Sequence, residues 1–166
     1  MRVYIVNLDK YNKGERTGVW FRPPIDFEHM REVLALGPGD GGYMITDCEL
    51  PFPIGHFASI DELNYLCDLV EGLEGEPFYA VLEELLRSGE FNGLEGLVER
   101  KDDIIHHAGC SEMEDIAREK VENGEYGEVS EKLKAWYIDY EAIARDEEIN
   151  GTFIGTSKGI FELRYR

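Results

Sequence analysis

The distribution of charge is the feature that most limits how this chain can fold. Its 166 residues include 35 acids and 17 bases, which gives a net charge of -18. Residues 61–150 hold 26 of the acids but only 8 of the bases, whereas both ends of the chain are nearly neutral. Such a segment must keep most of its carboxylates in contact with solvent. Because the apolar residues of 59–103 recur at helical spacing, we expect that part of the chain to form short helices with an acidic exterior.

Composition predicts a folded intracellular protein. A hydrophobic content of 43% is enough for a core, and 18 glycines with 6 prolines indicate many turns. Cys48, Cys67 and Cys110 are far apart and show no CxxC spacing, which favours reduced thiols. The N-terminus turns polar after eight residues, and no apolar run approaches the length of a membrane span. We expect a cytoplasmic protein whose charge repels membranes and nucleic acid and attracts basic partners.

Residues 1–58 have the pattern of a small sheet with one helix. The strings "RVYIVNL", "TGVWF" and "YMITDCEL" are rich in aromatic and β-branched residues and predict three strands, with Trp20 and Phe21 in the core. Between the last two, "DFEHMREVLAL" predicts a short helix with Asp26 as its N-cap. The apolar residues at helical spacing there are Phe27, Met30, Val33 and Leu34.

Residues 59–103 have helical periodicity throughout. Ser59 and Glu62 have the spacing of a capping box, which predicts a helix whose outer face carries Asp61, Asp68 and Glu71. Pro77 suits a first helical turn, and a third short helix is predicted around Leu94. The buried stripe of the second helix is predicted to comprise Phe78, Val81, Leu82, Leu85 and Leu86.

Residues 104–166 mix both patterns. "DIIHHAG" predicts a brief strand, a second capping box at Ser111 and Glu114 predicts a helix ending near Gly124, and Asp139 can cap another. Two apolar runs around Ser157–Gly159 predict a β-hairpin. The sequence therefore predicts an α+β fold of three units: 1–58, 59–103 and 104–166.

No catalytic or metal-binding constellation stands out. With 35 acids, close carboxylate pairs arise by chance, and no GxSxG, HExxH, Walker A or dinucleotide fingerprint occurs. His106, His107 and Cys110 lack a fourth ligand at a recognisable spacing. We expect no catalytic residue, no metal and no cofactor, so a carboxylate-based hydrolase remains only an alternative.

The acids themselves are the candidate functional surface. Net charges of about 2 to 8 suffice for solubility, so this chain tolerates more self-repulsion than solubility requires. A DNA duplex presents a similar row of negative charges, which helical carboxylates can imitate. The predicted mimic surface comprises Asp61, Glu62, Asp68, Glu71, Glu74, Glu76, Glu83, Glu84, Glu99, Asp102, Asp103, Glu112, Glu114, Asp115, Glu119 and Glu122.

Strings along nearly the whole chain resemble the ArdA antirestriction family. They are "VYIVNLDKYNKGERTGVWFRPPID", "DCELPFPI", "SIDELNYL", "KDDII", "MEDIA", "YGEV", "YIDYEAIARD" and "GTFIGTSKGIFE", in the family's order. The resemblance implies a DNA mimic, typically carried by mobile elements, that fills the DNA site of type I restriction-modification enzymes at their methyltransferase core. It also implies an elongated three-domain chain that forms a homodimer and needs no cofactor.

The resemblance places the family's antirestriction motif at 126–140, near the dimer contact. The chain departs from the family pattern at Ser130, where a proline is usual, and "KAW" replaces a shorter polar pair. Trp136, Tyr137 and Tyr140 can either pack within the third unit or form a subunit contact. The motif residues expected at the dimer are Tyr126, Gly127, Glu128, Val129, Trp136, Tyr137, Ile138, Asp139 and Tyr140.

A second interaction class stays open on the residues alone. The acidic surface also suits an adaptor or inhibitor for another basic DNA-binding protein, such as a nucleoid protein or transcription factor. Competition with DNA distinguishes a mimic from an adaptor. Near-total loss of activity on changing one carboxylate would instead indicate the hydrolase.

Overall fold

The structure is a computed structural model. Residues 1–58 build its first sheet, as expected. The structure describes residues 1–15, 17–39 and 41–164. Strand β1 (Arg2–Asn7) lies between β2 (Gly18–Phe21) and β3 (Tyr43–Glu49), and both pairings are antiparallel. Helix α1 (Leu8–Asn12), which the sequence analysis did not predict, begins where the Asn7 side chain accepts hydrogen bonds from the amides of Asp9 and Lys10.

Helix α2 (Phe27–Val33) confirms the predicted cap but not the whole predicted stripe. Asp26 accepts a hydrogen bond of 2.7 Å from the His29 amide. Met30 and Leu34 are buried, whereas Phe27 and Val33 are each 43% exposed, because the helix packs only one narrow edge against the sheet. Trp20 was also predicted wrongly: it is 36% exposed and lies under the Arg2 guanidinium at 4.5 Å, while Phe21 packs against the core.

The middle of the chain is helical, as its periodicity predicts. Helix α3 spans Ile60–Glu71, a 3-10 turn at Tyr79–Val81 leads into α4 (Leu82–Arg87), and α5 spans Gly93–Glu99. The Ser59 side chain accepts from the Glu62 amide at 3.0 Å, which confirms the predicted N-cap of α3. In the predicted stripe after Pro77, four residues are buried and Leu86 is partly buried.

The last part of the chain closes a second three-stranded sheet. Strand β6 (Gly159–Leu163) pairs antiparallel with both β4 (Ile104–His107) and β5 (Phe153–Thr156), which confirms the hairpin. The turn between β5 and β6 requires a glycine, because Gly159 has φ +113° and an added Cβ would lie 2.9 Å from the His107 carbonyl oxygen.

Three helices accompany the second sheet: α6 (Met113–Glu122), α7 (Glu131–Trp136) and α8 (Tyr140–Asn150). Helix α6 begins one residue later than the predicted capping box requires. Asp115 accepts from the backbone amides of Ser111 and Glu112, so Glu112 is the N-cap and the predicted Ser111–Glu114 box is wrong. Helix α7 was not predicted from the sequence.

One cluster of buried apolar side chains runs through all three segments. It extends from Val3 and Ile5 through Leu63 and Leu85 to Phe161. A smaller cluster of Cys110, Ile116 and Ile160 lies beneath α6. The observed architecture is α+β, with eight helices of the α type and two small sheets in the described part of the chain. The division into three domains at 58 and 103 stays a prediction.

Candidate interaction surface

Helix α3 presents an acidic face to solvent, with the half-exposed Tyr65 among the acids. Leu63, Cys67 and Val70 are buried against the core, so the acids on the other side of the helix are exposed. The helix carries four acids and no basic residue. Asp61 and Asp68 lie on the same face about 10 Å apart, given a rise of about 1.5 Å per residue. These carboxylates are held on a rigid element with no cation of their own helix to neutralise them.

Most of the predicted acids are accessible to a partner. Ten of the sixteen are exposed and the other six are partly buried. The exposed ones are Asp61, Glu62, Asp68, Glu71, Glu74, Glu83, Glu99, Asp102, Glu112 and Glu122. The partly buried ones are Glu76, Glu84, Asp103, Glu114, Asp115 and Glu119.

Several of the partly buried acids make internal contacts. Glu84 accepts from the amide and hydroxyl of Ser157, at 2.7 and 2.5 Å, which joins α4 to the β5–β6 turn. Those two hydrogen bonds lower the pKa of Glu84. Glu76 pairs with Lys101 at 3.1 Å. These carboxylates stabilise the fold in addition to any role at the surface.

Asp115 and Glu119 on α6 also face the protein. The backbone amides of Ser111 and Glu112 lower the pKa of Asp115. Glu119 contacts the buried His107 ring at 2.6 Å, although the periodicity of α6 places it on the outer side. Helical periodicity could not show this, because it does not indicate which side chain of another element lies beside Glu119; the ring belongs to β4, 12 positions earlier in the chain.

A buried ionic network joins α6, α8 and β6. Lys120 has a side chain only 6% exposed, and its ammonium contacts Glu147 at 2.6 Å and Glu162 at 3.2 Å. Burial alone lowers the pKa of Lys120, but the two carboxylates outweigh it and the pKa is raised. The Tyr126 hydroxyl donates to Glu147, so the network also holds the start of the predicted motif. No local pattern in the sequence indicates this network, because its members lie up to 42 positions apart.

The predicted motif combines internal contacts with exposed aromatic groups. Asp139 accepts from the Ala142 amide at 3.0 Å and caps α8, as predicted. Tyr140 packs inside the unit, with the Arg118 guanidinium 4.3 Å from its ring. Trp136 and Tyr137 are 78% and 74% exposed. The other motif residues are Tyr126, Gly127 and Glu128, which are exposed, and Val129 and Ile138, which are partly buried.

Ser130 has the backbone conformation of a proline. Its φ is -67° and its ψ is 148°, and it lies directly before α7. A proline ring fixes φ near -65°, so the proline that the resemblance led us to expect here would fit without a change of backbone. The departure at this position therefore alters the side chain and not the path of the chain.

The described part of the chain shows no metal site. No group of three or more His, Cys, Asp or Glu side chains there could hold a metal ion. His106 stacks on Phe161 with ring centroids 4.3 Å apart, and His107 bridges Glu119 and Glu162. Burial and Glu119 raise the pKa of the Cys110 thiol to about 11, which makes it a poor nucleophile.

The fold and the surface define an acidic α+β protein whose main chemical feature is an exposed field of carboxylates. A family model described as antirestriction protein (ArdA) matches residues 3–162. The chain therefore belongs to the ArdA antirestriction family, a family of inhibitor proteins directed at restriction-modification enzymes. No curated protein matches the chain. Within the residues described, no helix has the length and apolar character needed to cross a membrane.

Proposed function

We propose that this protein inhibits type I restriction-modification enzymes by mimicking DNA and occupying the DNA site of their methyltransferase core. The observation that carries the proposal is the row of exposed, unneutralised carboxylates on α3, in a chain of net charge -18 that belongs to an antirestriction family. Lysines and arginines that bind phosphates would bind these carboxylates instead. Inhibition of this kind is stoichiometric and needs no cofactor.

A competition titration tests the proposal. Purified protein is added to labelled DNA bound to a type I methyltransferase core, at about 50 and 200 mM salt. We expect stoichiometric displacement that weakens as salt rises, because both ligands contact the same cations. Absence of displacement at either salt concentration would contradict mimicry. It would favour the adaptor hypothesis, in which a basic nucleoid protein or transcription factor is the partner.

We further propose that the protein forms a homodimer through the 126–140 segment. Trp136 and Tyr137 support this, since large aromatic groups this exposed are enriched in interfaces. Light scattering across a concentration series measures the mass directly. We expect a dimer for the native chain and a shift toward the 19.0 kDa monomer for Trp136→Ala. A monomer at all concentrations would contradict the proposal.

A further inference from the structure

An open cavity forms where the central helices meet the second sheet. Its volume is about 520 Å³, within the range of small-ligand sites. Glu90 reaches it from the loop between α4 and α5, Glu112 from the start of α6, and Glu148 from α8. These three acids are far apart in the sequence and only the fold brings them to one cavity. Glu90 and Glu148 were not among the acids selected from the sequence.

The lining of the cavity combines these acids with apolar side chains. The apolar part of the lining consists of Ile160, which belongs to the smaller core cluster, and of Met113 and Phe153, which pack against that cluster. The carboxylates of Glu90 and Glu148 make no hydrogen bond or ion pair with any residue that the structure describes. The site therefore offers uncompensated negative charge beside hydrophobic surface.

Two simpler occupants fit poorly. A metal ion needs converging ligands, and no such group occurs among residues 1–15, 17–39 and 41–164. An anion could use the N-terminus of α6, but Asp115 already accepts from the amides of Ser111 and Glu112 there. The surrounding acids would also repel an anion.

We propose that this cavity receives an arginine side chain presented by the basic partner. The aliphatic stem of arginine would cover Met113 and Phe153, and its guanidinium would bind the carboxylates of Glu148 and Glu90. A duplex phosphate row offers no apolar floor, so this contact adds recognition that mimicry of charge does not provide. The inference rests on the proposed function only in assuming a basic partner.

The test uses a probe that contains no restriction enzyme. The tripeptide acetyl-Gly-Arg-Gly-amide is titrated into the ¹⁵N-labelled protein, and the amide signals of Gly151, Thr152 and Gly155, which line the cavity, are followed. Peptides with citrulline or 2,3-diaminopropionic acid in place of arginine serve as controls. The first lacks the charge, and the second lacks the long stem.

We expect saturable shifts at the cavity amides with the arginine peptide and not with either control. Glu148→Gln should weaken binding about threefold, while Asp146→Asn, at an exposed position of α8 outside the cavity, should leave it unchanged. Shifts spread evenly over the exposed acids, or equal effects of the two variants, would overturn the inference. Such a failure would not change the conclusion from the DNA competition titration. A failure of that titration would likewise not change the conclusion from the arginine peptide.

Discussion

Glu83 and Glu84 are sequence neighbours on α4 with different surroundings. Glu83 pairs with Arg87 at the surface, whereas Glu84 receives two hydrogen bonds from Ser157. We expect Glu84→Gln to reduce the free energy of unfolding at pH 7 and Glu83→Gln to leave it nearly unchanged, because exposed ion pairs contribute little. Urea denaturation of both variants measures the difference.

The effect of Glu84→Gln should also depend on pH. The folded state lowers the pKa of Glu84, so its contribution is present above the unfolded value of about 4.3. It is lost as the pH falls through the lower folded value. The gap in stability between native protein and Glu84→Gln should therefore narrow as the pH falls below the unfolded value of about 4.3. A gap that stays constant in acid would show that the Ser157 contacts do not depend on the carboxylate charge.

At Ser130 the conformation predicts a stabilising substitution. Its φ of -67° suits proline, and its amide donates to no acceptor among the described residues. Ser130→Pro should raise the free energy of unfolding by about 0.4 to 1 kcal/mol, chiefly by restricting the unfolded chain. Thermal and urea unfolding check this, with Ser130→Ala as the control for loss of the hydroxyl. Destabilisation would mean that the residue before it cannot adopt the extended backbone that proline requires.

At the level of helix α8, variants of Asp139 distinguish the effect of its charge from its effect as the helix N-cap. It caps α8 and also lies in the predicted motif. Asp139→Ala should cost about 0.5 to 2 kcal/mol of stability, while Asp139→Asn should retain most of it, because asparagine caps as well as aspartate. Denaturation and the DNA competition titration are measured on both variants. Inhibition that survives in the Asn variant assigns Asp139 a structural role, and inhibition lost in both would assign the role to its charge.

At the scale of the whole molecule, mimicry predicts a distributed response. Changing Asp61, Asp68, Glu71, Glu74 and Glu99 together to their amides should weaken DNA displacement at least about tenfold and flatten its salt dependence. Each single change should cost less than about fivefold, as expected for exposed charges. Glu84 is not among the five changed residues, because its carboxylate accepts hydrogen bonds from Ser157. Near-total loss from any single change in the competition assay would argue against mimicry and for one essential carboxylate.

Local sequence patterns predict most of the helices and strands and the distribution of surface charge. The strand residues of β1 and the caps at Ser59 and Asp139 depend on neighbours within a few positions. Local patterns reveal such features because their causes are local. The exposure of the α3 acids follows in the same way from the burial of the opposite face.

Which acids make contacts inside the protein depends on tertiary packing. Glu84 meets Ser157 across 73 positions, and Lys120 meets Glu162 across 42. No periodicity distinguishes these carboxylates from solvent-exposed ones, because their partners come from elements that are distant in the chain. The cavity bounded by Glu90, Glu112 and Glu148 has the same origin. A carboxylate's position on its helix is fixed by the sequence nearby, whereas its partner is fixed by how sheets and helices pack.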